Sequence, residues 1–270
     1  MFSINDRGLV FLRLLMIGDV VGRIGRRAVN INLSELKKEH HLDLVIANGE
    51  NAAGGAGITK ETAEELFSSG VDVLTMGNHV WNIKEAIPYI DSEQRIVRPA
   101  NYPIGAPGNG SNVFETKDKI KIGVINLSGR VFMEALDCPF RKVDEILVEM
   151  KKITNIIVVD FHAEATSEKV AMGWYLAGRV SAVVGTHTHV QTADERILPG
   201  GTAYLTDVGM TGPQNSVIGV KKETVINRFI SQMPQRFDVA NGPSQFNAVI
   251  IDIDEHTGEA SYIARIQNYQ

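Results

Sequence analysis

The stretch "VVGTHTHVQT", residues 183–192, sets His187 and His189 one residue apart behind an apolar run that reads as a buried β-strand. In an extended segment, residues i and i+2 point to the same side, so both imidazoles would face one target. His79 and His162 also follow apolar runs, as do Asp19, Glu50, Asn51 and Asn78. Imidazole, carboxylate and amide oxygen, with no thiolate, suit borderline divalent metals such as Mn, Fe, Zn or Co. Asp19, Glu50, Asn51, Asn78, His162, His187 and His189 make seven candidate ligands. That is too many for one ion with an open position and fits two ions sharing a carboxylate. Two such ions lower the pKa of a shared water and brace an in-line phosphoryl displacement. Taken singly, each residue has a plainer role, because Asp and Asn after a strand commonly cap a turn. Turn and cap preferences do not favour His over Ser or Thr, however, so the common placement points to a metal site.

The elements that must position these residues recur along the chain. Apolar runs at 12–20, 42–51, 71–79, 120–129, 155–164 and 180–189 lack strict alternation, as expected of strands covered on both faces. In open α/β sheets, ligands collect at the carboxyl ends of such strands. Helices are expected over 59–70 (Thr cap, Gly70 as stop), over 143–152 (basic residues last) and over 167–179, opening on Ser167. Residues 202–209 read as another strand, and 246–267 as two strands joined by a turn at 256–258. The fold class is α/β. With no repeat and no linker, residues 12–270 read as one domain behind a short extension over 1–11. The segment "RPANYPIGAPGNGSNV" (98–113) breaks the βα rhythm and is expected as a surface loop near a site. The glycine-rich stretches at 18–27 and 49–60 match neither the Walker pattern nor GxGxxG, and their glycines read as backbone room around a site. His40, His41 and His256 fall in turns or helix ends and read as solvent-exposed.

Composition narrows the function class. The 270 residues carry a formal net charge of −5, which argues against a general nucleic-acid surface but not against a small phosphorylated substrate. A single cysteine, Cys138, rules out an intrachain disulfide and a cysteine metal site, and fits a reducing compartment. The apolar run at 8–18 is too short to span a bilayer, is interrupted by Arg13, and lacks a cleavage site. A cytoplasmic protein with no membrane partner is expected.

The segments "GDVVGRIGR", "ANGENAAGGAGIT", "MGNHVW", "RPANYP", "DFHAEATSEK" and "GTHTHVQTAD" together resemble the YmdB family of calcineurin-like metallophosphoesterases, from about Leu12 onward. The resemblance implies a four-layer α/β/β/α sandwich with a dinuclear centre. By it, Asp19, Asn51 and His189 would hold one ion, Asn78, His162 and His187 the other, and Glu50 would bridge them. His79 would remain unligated and act as general acid. The wider superfamily's Asp-x-His is here Asp19-Val20-Val21, and its Gly-Asp bridging position reads Gly49-Glu50 followed by Asn51. Losing one imidazole makes the first site richer in oxygen and favours iron or manganese over zinc.

The activity so implied is hydrolysis of 2′,3′-cyclic nucleotides to 3′-nucleotides, with a hydroxide between the ions attacking phosphorus and His79 protonating the leaving O2′. Arg98, in the loop at 98–113, or Arg23 could meet a phosphate or base, the plainer reading of each being a solvated surface arginine. Self-association is implied too. The alternatives are a phosphomonoesterase, such as a nucleotidase, on the same metals, or a regulatory metal-binding scaffold for RNA-processing partners. An unligated His79 beside the ions speaks against the scaffold, which has no use for an acid.

Overall fold

Along Leu12–Ile17 every residue is apolar except Arg13, and the pattern hides two faces rather than none. Leu14 and Met16 point into one core, while Leu15 and Ile17 point into another. The computed structural model describes residues 3–4 and 10–270. Among them the strands form a nine-stranded and a six-stranded sheet.

The first sheet is built on Val10–Ile17, beside which Leu44–Asn48, Val73–Thr75 and Ile96–Val97 add in parallel. On its other side Ser244–Asp254 runs antiparallel, itself paired with Ala260–Tyr269 and Met210–Pro213. Asp19–Val20 closes that edge against Met210 and Thr211. In the second sheet Lys121–Ser128, Ile157–His162, Ala182–Thr186 and Thr202–Leu205 are parallel, flanked by antiparallel Ser111–Glu115 and Arg196–Leu198.

Three apolar clusters set the layering. Val29, Leu33, Ala63, Leu66 and Ile90, from the helices Gly22–His40, Lys60–Ser68 and Ile87–Ser92, pack on the outer face of the first sheet. Leu14, Met16, Ile46 and Ile251 meet Val124, Val158, Val184 and Leu205 between the sheets. Val143, Leu147, Met172 and Leu176, from Pro139–Met150 and Thr166–Leu176, cover the second sheet. The result is the four-layer α/β/β/α arrangement. Each fully buried Leu or Ile in it contributes about 2 kcal/mol of burial free energy.

Several boundaries differ from those expected. The first strand starts at Val10, because Val10 and Phe11 pair with Ile4 and Ser3. Most of the expected extension over 1–11 lies outside the described residues. The helix expected at 143 starts at Pro139, whose fixed φ and missing N–H suit a first turn. The helix expected at 167–179 runs Thr166–Leu176 with no side-chain cap, and Gly178 (φ 71°) turns the chain beyond it. Lys60–Ser68 does begin at the Thr59 cap, which exchanges bonds with Thr62 in a capping box. The strand expected over 202–209 ends at Leu205, and the chain then crosses from the second sheet to enter the first at Met210. No helix among the described residues is long and apolar enough to cross a membrane.

Candidate metal centre

The strands stop short of the candidate ligands: Leu44–Asn48 ends before Glu50, Val73–Thr75 before Asn78, and Ala182–Thr186 before His187. Only Asp19 and His162 lie inside strands. The others sit on tight loops at the carboxyl ends, where the two sheets meet. His187 (φ 103°) and His189 (φ 66°) both have left-handed backbones, so the extended geometry expected of this pair is absent. Their rings consequently serve different groups of donors rather than facing one way.

One group gathers around His162 Nε2. It lies 3.0 Å from Glu50 Oε1, 3.1 Å from Asn78 Oδ1 and 3.0 Å from His187 Nδ1. A ligand atom from each of Glu50, His162 and His187 falls within 4.8 Å of the others. The second group gathers around His189 Nε2, 3.1 Å from Asn51 Nδ2 and 3.7 Å from Asp19 Oδ1. Glu50 Oε1 is 3.5 Å from Asn51 Nδ2, which places one carboxylate beside both groups. Its other oxygen accepts from the His79 backbone N–H at 2.9 Å. All seven candidates and His79 are thus brought to one place.

Two observations test whether cations fit here. Asp19 is fully buried, and its Oδ1 has no hydrogen-bond partner, although a buried carboxylate oxygen is costly to leave unpaired. Lone-pair atoms of Asn78, Glu50 and His187 all crowd His162 Nε2, an arrangement that a shared positive centre resolves. The electrostatics agree. Burial opposes charge on His162, but Glu50, Asp19 and Asp160 overcome it and push its pKa up to about 9. Burial also acts against ionisation of Glu50, yet His162 draws it down to about 2. Burial and the neighbouring His162 press His187 down to about 3. A proton on His162 here stands in for the cation that the donor set calls for.

Residues not singled out in the sequence hold these groups in place. His162 Nδ1 is 2.9 Å from Thr186 Oγ1, which donates to Asp160 Oδ1 at 2.8 Å. The hydroxyl must therefore accept from Nδ1–H, leaving the Nε2 lone pair for the site. Asp160 is two residues before His162 on one strand and so shares its face, the signal that could have revealed it. Glu164 Oε2 lies 3.1 Å from His187 Nε2. Lys169, almost fully buried, pairs with Asp207 at 2.7 Å and also donates to the Thr186 carbonyl. Asp207 accepts in turn from Thr188 N–H, between the two loop histidines. Gly77 admits no side chain, since a Cβ there would overlap the His162 ring and the Glu50 carboxylate.

Neither arginine singled out in the sequence lines the cavity over the metal centre. Arg98 is buried and donates to the carbonyls of Pro99, Ala106 and Pro107, so it staples its own loop and cannot meet a phosphate. Arg23 is exposed and lines a different cavity. The loop at 98–113 does approach the site, with Tyr102 packed edge-on against Trp81 at 4.6 Å. His41 and His256 are exposed, whereas His40 is half-buried. A cavity of about 490 Å³ opens over Glu50, Asn51, His79, His187 and His189.

Residues 15–266 match the model of the YmdB-like protein family. The chain is 52% identical over 255 residues to the 2′,3′-cyclic-nucleotide 2′-phosphodiesterase of Bacillus subtilis, covering 94% of this chain and 96% of that protein. It is 39% identical to a Mycoplasma pneumoniae protein named as a phosphatase/phosphodiesterase, covering 91% of this chain and 89% of that one. Among solved structures, a hypothetical protein of Thermus thermophilus superposes with a TM-score of 0.90 at 43% identity, covering 96% of this chain and all of that one. A novel phosphatase of Mycoplasma pneumoniae superposes with a TM-score of 0.91 at 36% identity, covering 97% and 94%. The chain belongs to the YmdB-like family.

Proposed function

We propose that this protein is a metal-dependent phosphodiesterase that opens 2′,3′-cyclic nucleotides to 3′-nucleotides. The observation that carries the reading is the pair of N/O donor groups sharing Glu50, one of them containing the unpartnered Asp19 Oδ1. Asp19, Asn51 and His189 would hold one divalent ion, and Asn78, His162 and His187 the other, with Glu50 between them. When bound, the ions supply Lewis acidity that activates water and offsets charge on the phosphoryl oxygens. One imidazole, one amide and one carboxylate around the first position favour iron or manganese.

The chain's own groups supply the rest. His79 lines the cavity and is held by its backbone N–H on Glu50. The Asn82 side-chain amide nitrogen is 2.8 Å from His79 Nδ1 and fixes the ring; in the protonated ring, Nδ1–H would donate to the amide turned oxygen-first, and Nε2–H would be the proton delivered. A general acid so arranged can protonate the departing O2′. The name of the Bacillus relative supports the substrate class. The core shared between the sheets supports one domain over 12–270, and the single cysteine supports a cytoplasmic protein. Self-association rests on the family resemblance alone.

The test counts metals per chain in protein purified without chelator, then compares 2′,3′-cyclic AMP with a generic phosphomonoester. Two ions, preferential opening of the diester, and a loss of about 100-fold or more in His79→Ala with metals retained are expected. Faster monoester cleavage would favour a nucleotidase. One ion or none would remove the dinuclear reading. A His79→Ala protein that lost hydrolysis but kept its cellular effect would favour the scaffold.

A further inference from the structure

The connection between Met210–Pro213 and Ser244–Asp254 is long, and it forms one wall of the cavity over the metal centre. Its base is tied to the site, because the Ile218 carbonyl lies 2.8 Å from His189 Nδ1. Just beyond, the chain is pinched: Lys221 N–H donates to the Asp238 carbonyl at 3.0 Å, and Ala240 N–H to Gly219 at 2.9 Å. The excursion between these points carries the helix Lys222–Ser231 and an irregular return stretch. From it, Phe229 and Phe237 turn into the cavity although they are 72% and 49% exposed. Arg228 lies 5.7 Å from the Phe237 ring, a cation–π contact that restrains it.

The cavity is therefore two-sided. Its floor holds carboxylate, amide and imidazole groups, and its outer wall holds two aromatic rings with Ile218 and Val239. At about 490 Å³ it is in the range that holds a nucleotide-sized ligand. Aromatic rings left open to water beside a polar centre lose hydration cost when a flat apolar group stacks on them, and every nucleobase offers such a face. The other exposed apolar residues of the same helix, Ile226 and Ile230, do not line the cavity. We infer that Phe229 and Phe237 form a subsite that stacks the nucleobase while the phosphodiester sits at the metal centre. The inference rests on the proposed function and names the part of the substrate that the connection recognises. It reads the base by stacking rather than by hydrogen bonds, so purines are favoured over pyrimidines without strict selection.

The experiment uses the metal-loaded full chain and two substrates with the same strained ring: 2′,3′-cyclic AMP, and glycerol 1,2-cyclic phosphate, which has no base. Phe229→Ala and Phe237→Ala are expected to raise KM for the nucleotide about tenfold, with kcat within about twofold. Their kinetics on the base-free substrate stay unchanged, and Phe237→Trp retains the native KM. An equal loss on both substrates would assign the rings a structural role and overturn the inference. So would an unchanged nucleotide KM, including the case where the variants dissociate an oligomer and the rings prove to be an interface between copies. Native protein that opened neither ring would take down the phosphodiesterase reading itself, an outcome distinct from variants that leave native-like KM values.

Discussion

Lys169 is the most demanding group in the fold outside the site itself. Only 1% exposed, it is paired with fully buried Asp207 at 2.7 Å and donates to the Thr186 carbonyl. Lys169→Met keeps the stem's length and apolar packing but strips the charge, so Asp207 is left buried and unpaired. Breaking such a pair costs about 3–5 kcal/mol. Asp207 keeps two backbone donors, Thr188 N–H at 3.1 Å and Gly209 N–H at 2.8 Å, so the lower end of about 3 kcal/mol is expected. For a chain of this size that corresponds to a fall in Tm of about 5 °C. Urea unfolding and calorimetry of the metal-free protein would read it. Lys169→Met/Asp207→Asn, which removes the stranded charge, should recover at least half of the loss. A single-variant loss below about 1 kcal/mol, or a double variant no better than the single, would refute the claim that charge burial is what makes Lys169 necessary.

Other outcomes follow from the same geometry. Thr186→Val removes the hydroxyl between Asp160 and His162 Nδ1, and should weaken metal binding about 10- to 100-fold by competition titration while leaving the circular dichroism unchanged. Gly77→Ala places a methyl group against His162 and Glu50, and should empty the site by metal analysis in a chain that still folds. Burial would raise the Asp194 pKa, but hydrogen bonds from Thr206 and Thr192 hold it below its ordinary 3.8. A depressed carboxylate stabilises the fold above its unfolded pKa, and that contribution is lost as pH falls through the folded one. Asp194→Asn should therefore be less stable at pH 7 by under about 1 kcal/mol, screened as it is by solvent, and the gap should narrow as pH falls below the ordinary carboxylate range in paired urea titrations.

What can be read in advance depends on how local its cause is. Strands covered on both faces announce themselves as unbroken apolar runs, so the α/β class and the carboxyl-end placement of Glu50, Asn78 and His162 are legible. Thr59 is legible as a cap because its partner, Thr62, is three residues away. The left-handed backbones of His187 and His189 are not, since they are imposed by Asp19, Ile218 and Asp207 from distant segments. Arg98 misleads for the same reason: its three carbonyl partners come from a loop whose path no spacing rule describes. Asp160 stays hidden because a strand-interior Asp in "VVDFH" has no distinguishing neighbour until Thr186 from the next strand is placed beside it.

The donors come from both sheets, Asp19, Glu50, Asn51 and Asn78 from the first and His162, His187 and His189 from the second. Their separation along the chain, from residue 19 to residue 189, makes the centre a product of long-range closure rather than of any local hairpin. A chain whose sheets have formed but not docked holds only half a coordination sphere. With the proposed ligand set, cation uptake would then act as a checkpoint on assembly. During refolding, metal should be captured after the main rise in secondary structure, and half-made chains should neither trap scarce ions nor carry out premature chemistry. The seam between the sheets thereby ties competence for hydrolysis to completion of the fold.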